Sequence, residues 1–462
     1  MQLHPAHFVA IIGGAVAGSE AAINLAQRGV KVAVFEQNTR PYGKIEDGLP
    51  KWHVRLQAQE ERKIDEKLSH PNVLFVPNTT LGIHLDFLDL VKNWGFSAVL
   101  LANGAWQDRP LPVEGIAEFV GRGLVYQNDL VRWFNHYHER DYDGERFDIP
   151  DSTIIIGGGL ASLDVVKIVM LETVLAALKK MEIHTDILEL EHDSIRKVLD
   201  RHQLTLSSLG LNGCVLFYRR RAVDMPLAQI PPDASPERIE KIYTVRQKIL
   251  RTFREKYLFK FQECRAPTGV IAEGRHLAGL KFKKTEIKDG KVRVLHGTEH
   301  EVRAPLCISS IGSIPQMIEG LDTHGELYDI RDPNTGQLKQ FDHVFALGNV
   351  VTGKGNIKAS YAHGKQVANH VLDDFLAWRE SDYEKLIQVS SENTGSQVDK
   401  IAKMLTESNL LSAERVGAIV EKIESCQQRV GYSGSYADWI AEHRLESIDE
   451  VIAAQKPSPA PL

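Results

Sequence analysis

Apolar and polar positions along the chain fall into two kinds of run. Short, nearly unbroken apolar stretches occur at Phe8–Ile12, Lys31–Phe35 and residues 98–105, 152–157, 214–218 and 343–350. Runs of roughly four to eight such residues, bounded by glycine or charge, predict strands buried on both faces of a parallel sheet. Between them, apolar residues recur at helical spacing. Residues 19–28 turn Ala21, Ala22, Ile23 and Leu25 toward a sheet, and further helices are predicted at Leu160–Lys180, 192–202 and 237–259. Strand alternating with helix predicts an α/β chain. Beyond Leu376 the pattern turns polar: residues 390–396, S-S-E-N-T-G-S, read as a linker. Helix starts are predicted at Ser396 with Asp399, Ser435 with Asp438 and Ser447 with Glu450, before a flexible K-P-S-P-A-P-L end.

Two of the predicted strands run into glycines. After Phe8–Ile12, the turn Gly13 to Gly18 leads into a helix, and Glu36 closes the next strand. The acid falls about 20 residues after the turn, the spacing of a dinucleotide fingerprint and its ribose-binding carboxylate. Pyrophosphate would sit on the helix N-terminus, and Glu36 would accept hydrogen bonds from the adenosine ribose. Ala15 replaces the second glycine of the pattern with the smallest possible intrusion. The second turn, Gly157-x-Gly159-x-x-Ser162, has Ser162 for its third glycine, which suits slightly wider helix–strand packing. Its following strand ends in Arg219, Arg220 and Arg221. Guanidinium groups there suit bidentate binding of a 2′-phosphate and select NADPH over NADH. Two fingerprints of different character predict two dinucleotides, FAD on the acid-ended unit and NADPH on the arginine-ended one.

Composition narrows the alternatives. The chain has 462 residues, 43% hydrophobic and 25% charged, as expected of two or three globular domains. Its net charge of −6 argues against a protein that coats nucleic acid or an acidic membrane. Cys214, Cys264, Cys307 and Cys426 are too widely spaced for a metal-ligand pair or a redox dithiol. No apolar run reaches the roughly 18 residues of a membrane span. No basic segment leads an apolar one at the N-terminus, so the expected compartment is the cytoplasm.

The order of several motifs resembles the adrenodoxin reductase-like ferredoxin:NADP⁺ reductases over residues 8–376. The matching segments are P-Y-G-K-I-E-D-G-L-P-K-W-H, which contains Gly43 and ends at His53, the second fingerprint with Leu163-Asp164-Val165, and Tyr218-Arg219-Arg220. I-S-S-I-G-S-I-P at 308–315 is similar to the family's return to the flavin domain, and Gly348, Gly353, Gly355 and Ile357 to its closing flavin loop. The resemblance implies two Rossmann-like dinucleotide-binding domains with a C-terminal helical extension: an FAD domain from 1–110 and 306–380, an NADPH domain from 111–305, and the extension over 381–462. It places Gly13, Ala15, Gly18, Glu36, Gly43, Gly104, Gly348, Asn349, Gly355, Asn356 and Ile357 at FAD, with Asn349 reaching the ribityl chain. Gly157, Gly159, Ser162 and the three arginines fall at NADPH. It further implies a hydrogen-bonded pair of His53 and Asp164 near flavin and nicotinamide. A ferredoxin would dock on basic residues of the helix at 237–259, with Lys248, Arg251 and Arg254 foremost, accompanied by Lys241, Arg246 and Lys256, while Ile242, Ile249, Phe253 and Tyr257 form the buried face. The implied activity is transfer of electrons from NADPH through flavin to a ferredoxin-type iron–sulfur protein. The closing loop is one residue shorter at 354–355 and carries Asn349, which leaves two alternatives open. One is another acceptor, such as a flavodoxin, a quinone or a partner subunit, and the other is a catalytically idle flavin-bound interaction protein.

Overall fold

A computed structural model of the chain describes residues 5–231, 233–353, 355–378, 384 and 410–455. The predicted linker at 390–396, the helix start at Ser396 and the last seven residues lie outside this set. The described residues fall into two compact units, bounded as Met1–Leu49, Arg55–Gln107 and Ser313–Leu445 for the first, and Pro50–Val54, Asp108–Gly312 and Glu446–Leu462 for the second.

The first unit is built on a parallel five-stranded sheet in the order Val344–Ala346, Ala98–Leu101, Phe8–Ile12, Lys31–Phe35, Val73–Val76. Every residue of the central Phe8–Ile12 strand is buried, which is why its sequence shows no polar alternation. On one face lie the helices Val16–Ala26 and Ile357–His370, packed so closely that a side chain on Gly364 would meet the Ala17 carbonyl at 2.6 Å. The other face is covered by Ala413–Arg429, whose Val416, Ile419 and Ile423 join the cluster around Phe8, Ala10 and Ile12. Fully buried aliphatic side chains of this kind contribute roughly 1.5–3 kcal/mol each. The short helix Tyr436–Glu442 sends Tyr436 and Trp439 into the cluster around Val9 and Ile11. Among the described C-terminal residues, 410–445 complete the first unit's layers, and Ile448 and Ile452 of Ile448–Gln455 pack into the second.

The second unit repeats the plan with a parallel sheet ordered Leu124–Tyr126, Cys307–Ser310, Ile154–Gly157, Val215–Phe217, Lys260–Gln262. Helices Gln127–His136, Leu160–Lys180 and Pro236–Tyr257 cover one face. The other face meets an antiparallel sheet of Arg265–Glu273, His276–Lys288, Lys291–Val294 and His300–Arg303, where Phe282 stacks on Phe217 at 4.1 Å between centroids. That second sheet is absent from the elements predicted above. Its longest strand buries Leu277, Leu280 and Phe282 and gives its outer positions to lysine, so one wet face dilutes the apolar signal. The helix predicted at 192–202 is two, Ile187–Asp193 and Ile195–Arg201, divided at Ser194 with φ of +78°.

Candidate functional site

Parallel strands open their carboxyl ends on one edge, where ligands sit in such sheets. In the first unit this edge carries Gly13, Glu36, Gly104 and Asn349. Gly13 leaves its strand at φ +98°, and a side chain on it would strike the Ala102 carbonyl at 2.7 Å. Gly18 is more confined, since a Cβ would lie 1.8 Å from the Gly13 oxygen. Ala15 begins the helix with no side-chain cap, which leaves the first-turn N–H groups to another acceptor. The methyl that departs from the glycine pattern at Ala15 is accommodated by Gly43, whose own Cβ would approach it to 2.9 Å and whose φ is +54°.

Glu36 is buried, with one carboxylate oxygen accepting the Gly14 N–H at 2.8 Å and the other the Asn38 N–H at 3.0 Å. Burial pushes its pKa up to about 7 against the opposing pull of those bonds. Each oxygen keeps lone-pair capacity for a ribose hydroxyl. Across the sheet, Gly348 turns at φ +77° and donates its N–H to His363 Nδ1 at 2.9 Å, while His363 Nε2 meets the Pro333 carbonyl at 2.8 Å. This histidine, unnoticed in the sequence, fixes the turn that presents Asn349. Asn349 Oδ1 is buried and makes no hydrogen bond within the described residues, an orphaned acceptor that fits a hydroxylated chain. Of the closing loop, Gly355 is exposed, Asn356 spends its Oδ1 on the Ala359 N–H as the cap of the next helix, and Ile357 begins that helix.

The second unit's turn is packed differently from expectation. A Cβ on Gly157 would lie 2.1 Å from Ser162 Oγ and 2.4 Å from the Ser310 carbonyl. Ser162 donates to that carbonyl at 2.9 Å, so its hydroxyl occupies the room left by Gly157 and helix and strand stay close rather than widening. Gly159 has no neighbour within 4 Å of a built Cβ and caps the 21-residue helix with backbone alone, leaving an open helix N-terminus with the dipole behind it. The arginines also divide. Arg221 forks onto Asp224 with two contacts of 2.9 Å, because the acid lies three residues on in the same tight turn. Its guanidinium is therefore engaged within the chain, although the sequence counted it among three groups at NADPH. Arg219 is exposed, and the half-buried Arg220 donates from its guanidinium to the Gly290 carbonyl at 3.3 Å.

His53 and Asp164 both belong to the second unit, but no hydrogen bond joins them among the described residues. Burial raises the Asp164 pKa to about 7, and burial followed by the Lys167 charge lowers that of His53. Both groups are thus driven toward neutral forms near pH 7, which leaves little charge to draw them together. Lys167 stands one helical turn after Asp164. Its buried ammonium pairs with Glu191 and lies 4.1 Å from the Trp52 ring centroid and 5.1 Å from that of Tyr257. Trp52 precedes His53 in a short turn, Lys51–His53, anchored by the Lys51 N–H on Asn135 Oδ1 at 2.9 Å and by the Lys51 ammonium 3.6 Å from the Tyr137 ring. A lysine inside the apolar run V-V-K-I-V-M was the available sequence signal for Lys167.

On helix Pro236–Tyr257, Lys248, Arg251 and Arg254 are exposed and form no ion pair among the described residues. Arg246 is not part of that surface: it is buried and donates to the Ala228 carbonyl at 2.9 and 2.7 Å and to that of Val223 at 3.1 Å. Ile242, Ile249 and Phe253 are half-buried, while Leu250 and Tyr257 are buried.

Residues 7–200 match the model of the family described as Pyridine nucleotide-disulphide oxidoreductase. The four cysteines are unpaired, so no disulphide accompanies the match. A probable ferredoxin/ferredoxin–NADP reductase of Mycobacterium tuberculosis is 33% identical over 162 residues, 35% of this chain and 27% of that protein. The chain thus spans about a quarter of that relative's length. The glutamate synthase (NADPH) small chain of Escherichia coli is 22% identical over 386 residues, 79% of this chain and 68% of that one. Among solved structures, Mycobacterium tuberculosis FprA in complex with NADPH superposes with a TM-score of 0.61 at 18% identity, covering 87% of this chain and 90% of that one, which shows a shared two-sheet α/β fold.

Proposed function

We propose that this chain is an FAD-dependent oxidoreductase that takes a hydride from NADPH and passes electrons to a ferredoxin-type iron–sulfur protein. The observation that carries the reading is the contrast of two cradles on matching sheets, one ending in the buried acid Glu36 and the other in the exposed Arg219 and half-buried Arg220. Relatives named as ferredoxin–NADP reductases support it, as does the FprA fold with NADPH. FAD, when bound, would accept one hydride, two electrons at once, and release them singly. The chain supplies binding and orientation. Gly13, Gly18 and the helix they open hold pyrophosphate, Glu36 the adenosine ribose, and Asn349 the ribityl hydroxyls. Gly159 and the helix Leu160–Lys180 take the pyrophosphate of NADPH, and Arg219 and Arg220 its 2′-phosphate. His53 and Asp164 provide two protonatable groups, both subject to the charge of Lys167.

Lys248, Arg251 and Arg254 would meet an acidic ferredoxin, speeding encounter in a salt-sensitive way. The test is anaerobic mixing of the yellow holoenzyme with NADPH, followed by turnover with purified ferredoxins at low and high salt. Bleaching of the flavin band and ferredoxin-dependent turnover that weakens with salt are expected; turnover that ferredoxin leaves unchanged sinks the acceptor assignment. A second reading, electron delivery to a partner subunit, is favoured by the match to the glutamate synthase small chain, which spans more of this chain than the reductase match. In that case flavin bleaches with NADPH but no free ferredoxin accelerates turnover. No helix among the described residues is long and apolar enough to cross a membrane.

A further inference from the structure

The helix Tyr436–Glu442 is built onto the loop that follows Glu36. Trp439 Nε1 donates to the Thr39 carbonyl at 2.8 Å. Tyr436 donates its hydroxyl to Asp65 at 2.7 Å, and the same carboxylate accepts the Tyr42 hydroxyl at 3.0 Å, so one acid ties the helix to the far end of the loop. The loop is held on its other side as well: Asn78 N–H donates to the Asn38 carbonyl at 3.2 Å and Thr39 Oγ1 to Asn78 Oδ1 at 3.0 Å. Asn38, one residue before the Trp439 contact, gives its own N–H to the Glu36 carboxylate, whose second oxygen holds the Gly14 N–H. An unbroken series of contacts therefore runs from the C-terminal helix to the acid and on to the fingerprint turn. Trp439 and Tyr436 are both buried, and Trp439 packs on Tyr432 at 5.5 Å between centroids.

We propose that Trp439 and Tyr436 are positioning residues for the adenosine end of FAD, holding the 37–42 loop so that Glu36 presents its carboxylate to the ribose. The proposal rests on the assignment of FAD to this cradle. Trp439→Phe keeps an aromatic side chain and removes the indole N–H, leaving the Thr39 carbonyl without its donor; Tyr436→Phe removes one hydroxyl from Asp65. A buried hydrogen-bonding group left without its partner weakens what depends on it by about tenfold. Flavin-stripped protein is titrated with FAD and separately with FMN, which lacks the adenosine, and binding is read from flavin fluorescence; melting of the stripped protein is followed in parallel. The expected result is an FAD dissociation constant raised about tenfold in either variant with the FMN constant unchanged. FAD and FMN weakened equally, or FAD binding as tight as wild type whatever the melting temperature, overturns the positioning role. Wild-type protein that takes up no FAD overturns the cofactor assignment instead.

Discussion

The two cradles use the same strand–turn–helix device and differ in how closed they are. In the first, Gly13 and Gly18 are hemmed in by backbone, the acid at the strand end is buried, and the loop after it is tied to the C-terminal helix Tyr436–Glu442. In the second, Gly159 faces open space, Arg219 at the strand end is exposed and Arg220 half-buried. Closure slows departure and openness permits exchange, so the first suits a nucleotide that stays and the second one that comes and goes each turnover. The difference lies in the neighbours of the glycines rather than in the motif.

Gly18→Ala breaks the closed cradle most severely. The new methyl would lie 1.8 Å from the Gly13 carbonyl, a contact with backbone that no rotamer relieves. Overpacking of this kind costs roughly 1–3 kcal/mol and more where nothing can yield. The purified variant is expected to lose its bound flavin, measured as the ratio of flavin to protein absorbance; wild-type yellow protein would show that the cradle is looser than its geometry.

Next in size is the open cradle's cation pair. Arg219→Ala combined with Arg220→Ala removes two charge-assisted contacts worth roughly 1.5–3 kcal/mol each. The Michaelis constant for NADPH should rise about a hundredfold or more, with that for NADH nearly unchanged. Equal effects on both would refute the 2′-phosphate assignment. Arg221→Ala should do far less than either single change, because Asp224 already holds that guanidinium.

Smaller, and read in pH rather than affinity, is the effect of Lys167→Met. Lys167 lowers the pKa of both His53 and Asp164 by its charge. Without it both rise, and His53 rises further because Glu191, freed of its partner, favours imidazolium. The midpoint of the pH dependence of flavin reduction by NADPH therefore moves to higher pH, and Lys167→Arg restores it. A midpoint that stays or moves down breaks the link between this buried ion pair and the reaction.

The parallel strands, both glycine turns and the acid–arginine contrast were legible because each is a local pattern: β-branched runs, a turn only glycine fits, a charge at a strand end. Much of what escaped depends on residues distant in sequence or on how a turn folds. The ring of Trp52 meets Lys167 and the imidazole of His363 holds Gly348, and no spacing announces either. Arg221 and Arg246 read as free surface charge, but the partners that claim them, Asp224 and two backbone carbonyls, appear only once the turns are folded. The helix Ala413–Arg429 falls within the expected helical extension, but no start was predicted for it, and that three of its apolar positions close one face of the first sheet appears only in the fold.

Gly159→Ala is the mildest and most discriminating change. Its φ of −92° suits any residue, and a Cβ there would touch nothing within 4 Å, so stability should stay close to wild type. Gly157→Ala, two residues earlier, would place its methyl against Ser162 and the Ser310 carbonyl and should lower the melting temperature clearly. The methyl at 159 instead occupies space that a pyrophosphate approaching the helix N-terminus would use, so NADPH should bind a few-fold more weakly while flavin content is unaffected. Titration of each variant with NADP⁺, alongside its melting curve, separates the two roles. If Gly159→Ala binds as tightly as wild type, the nucleotide does not approach the turn at that point, and the openness of the second cradle has another cause.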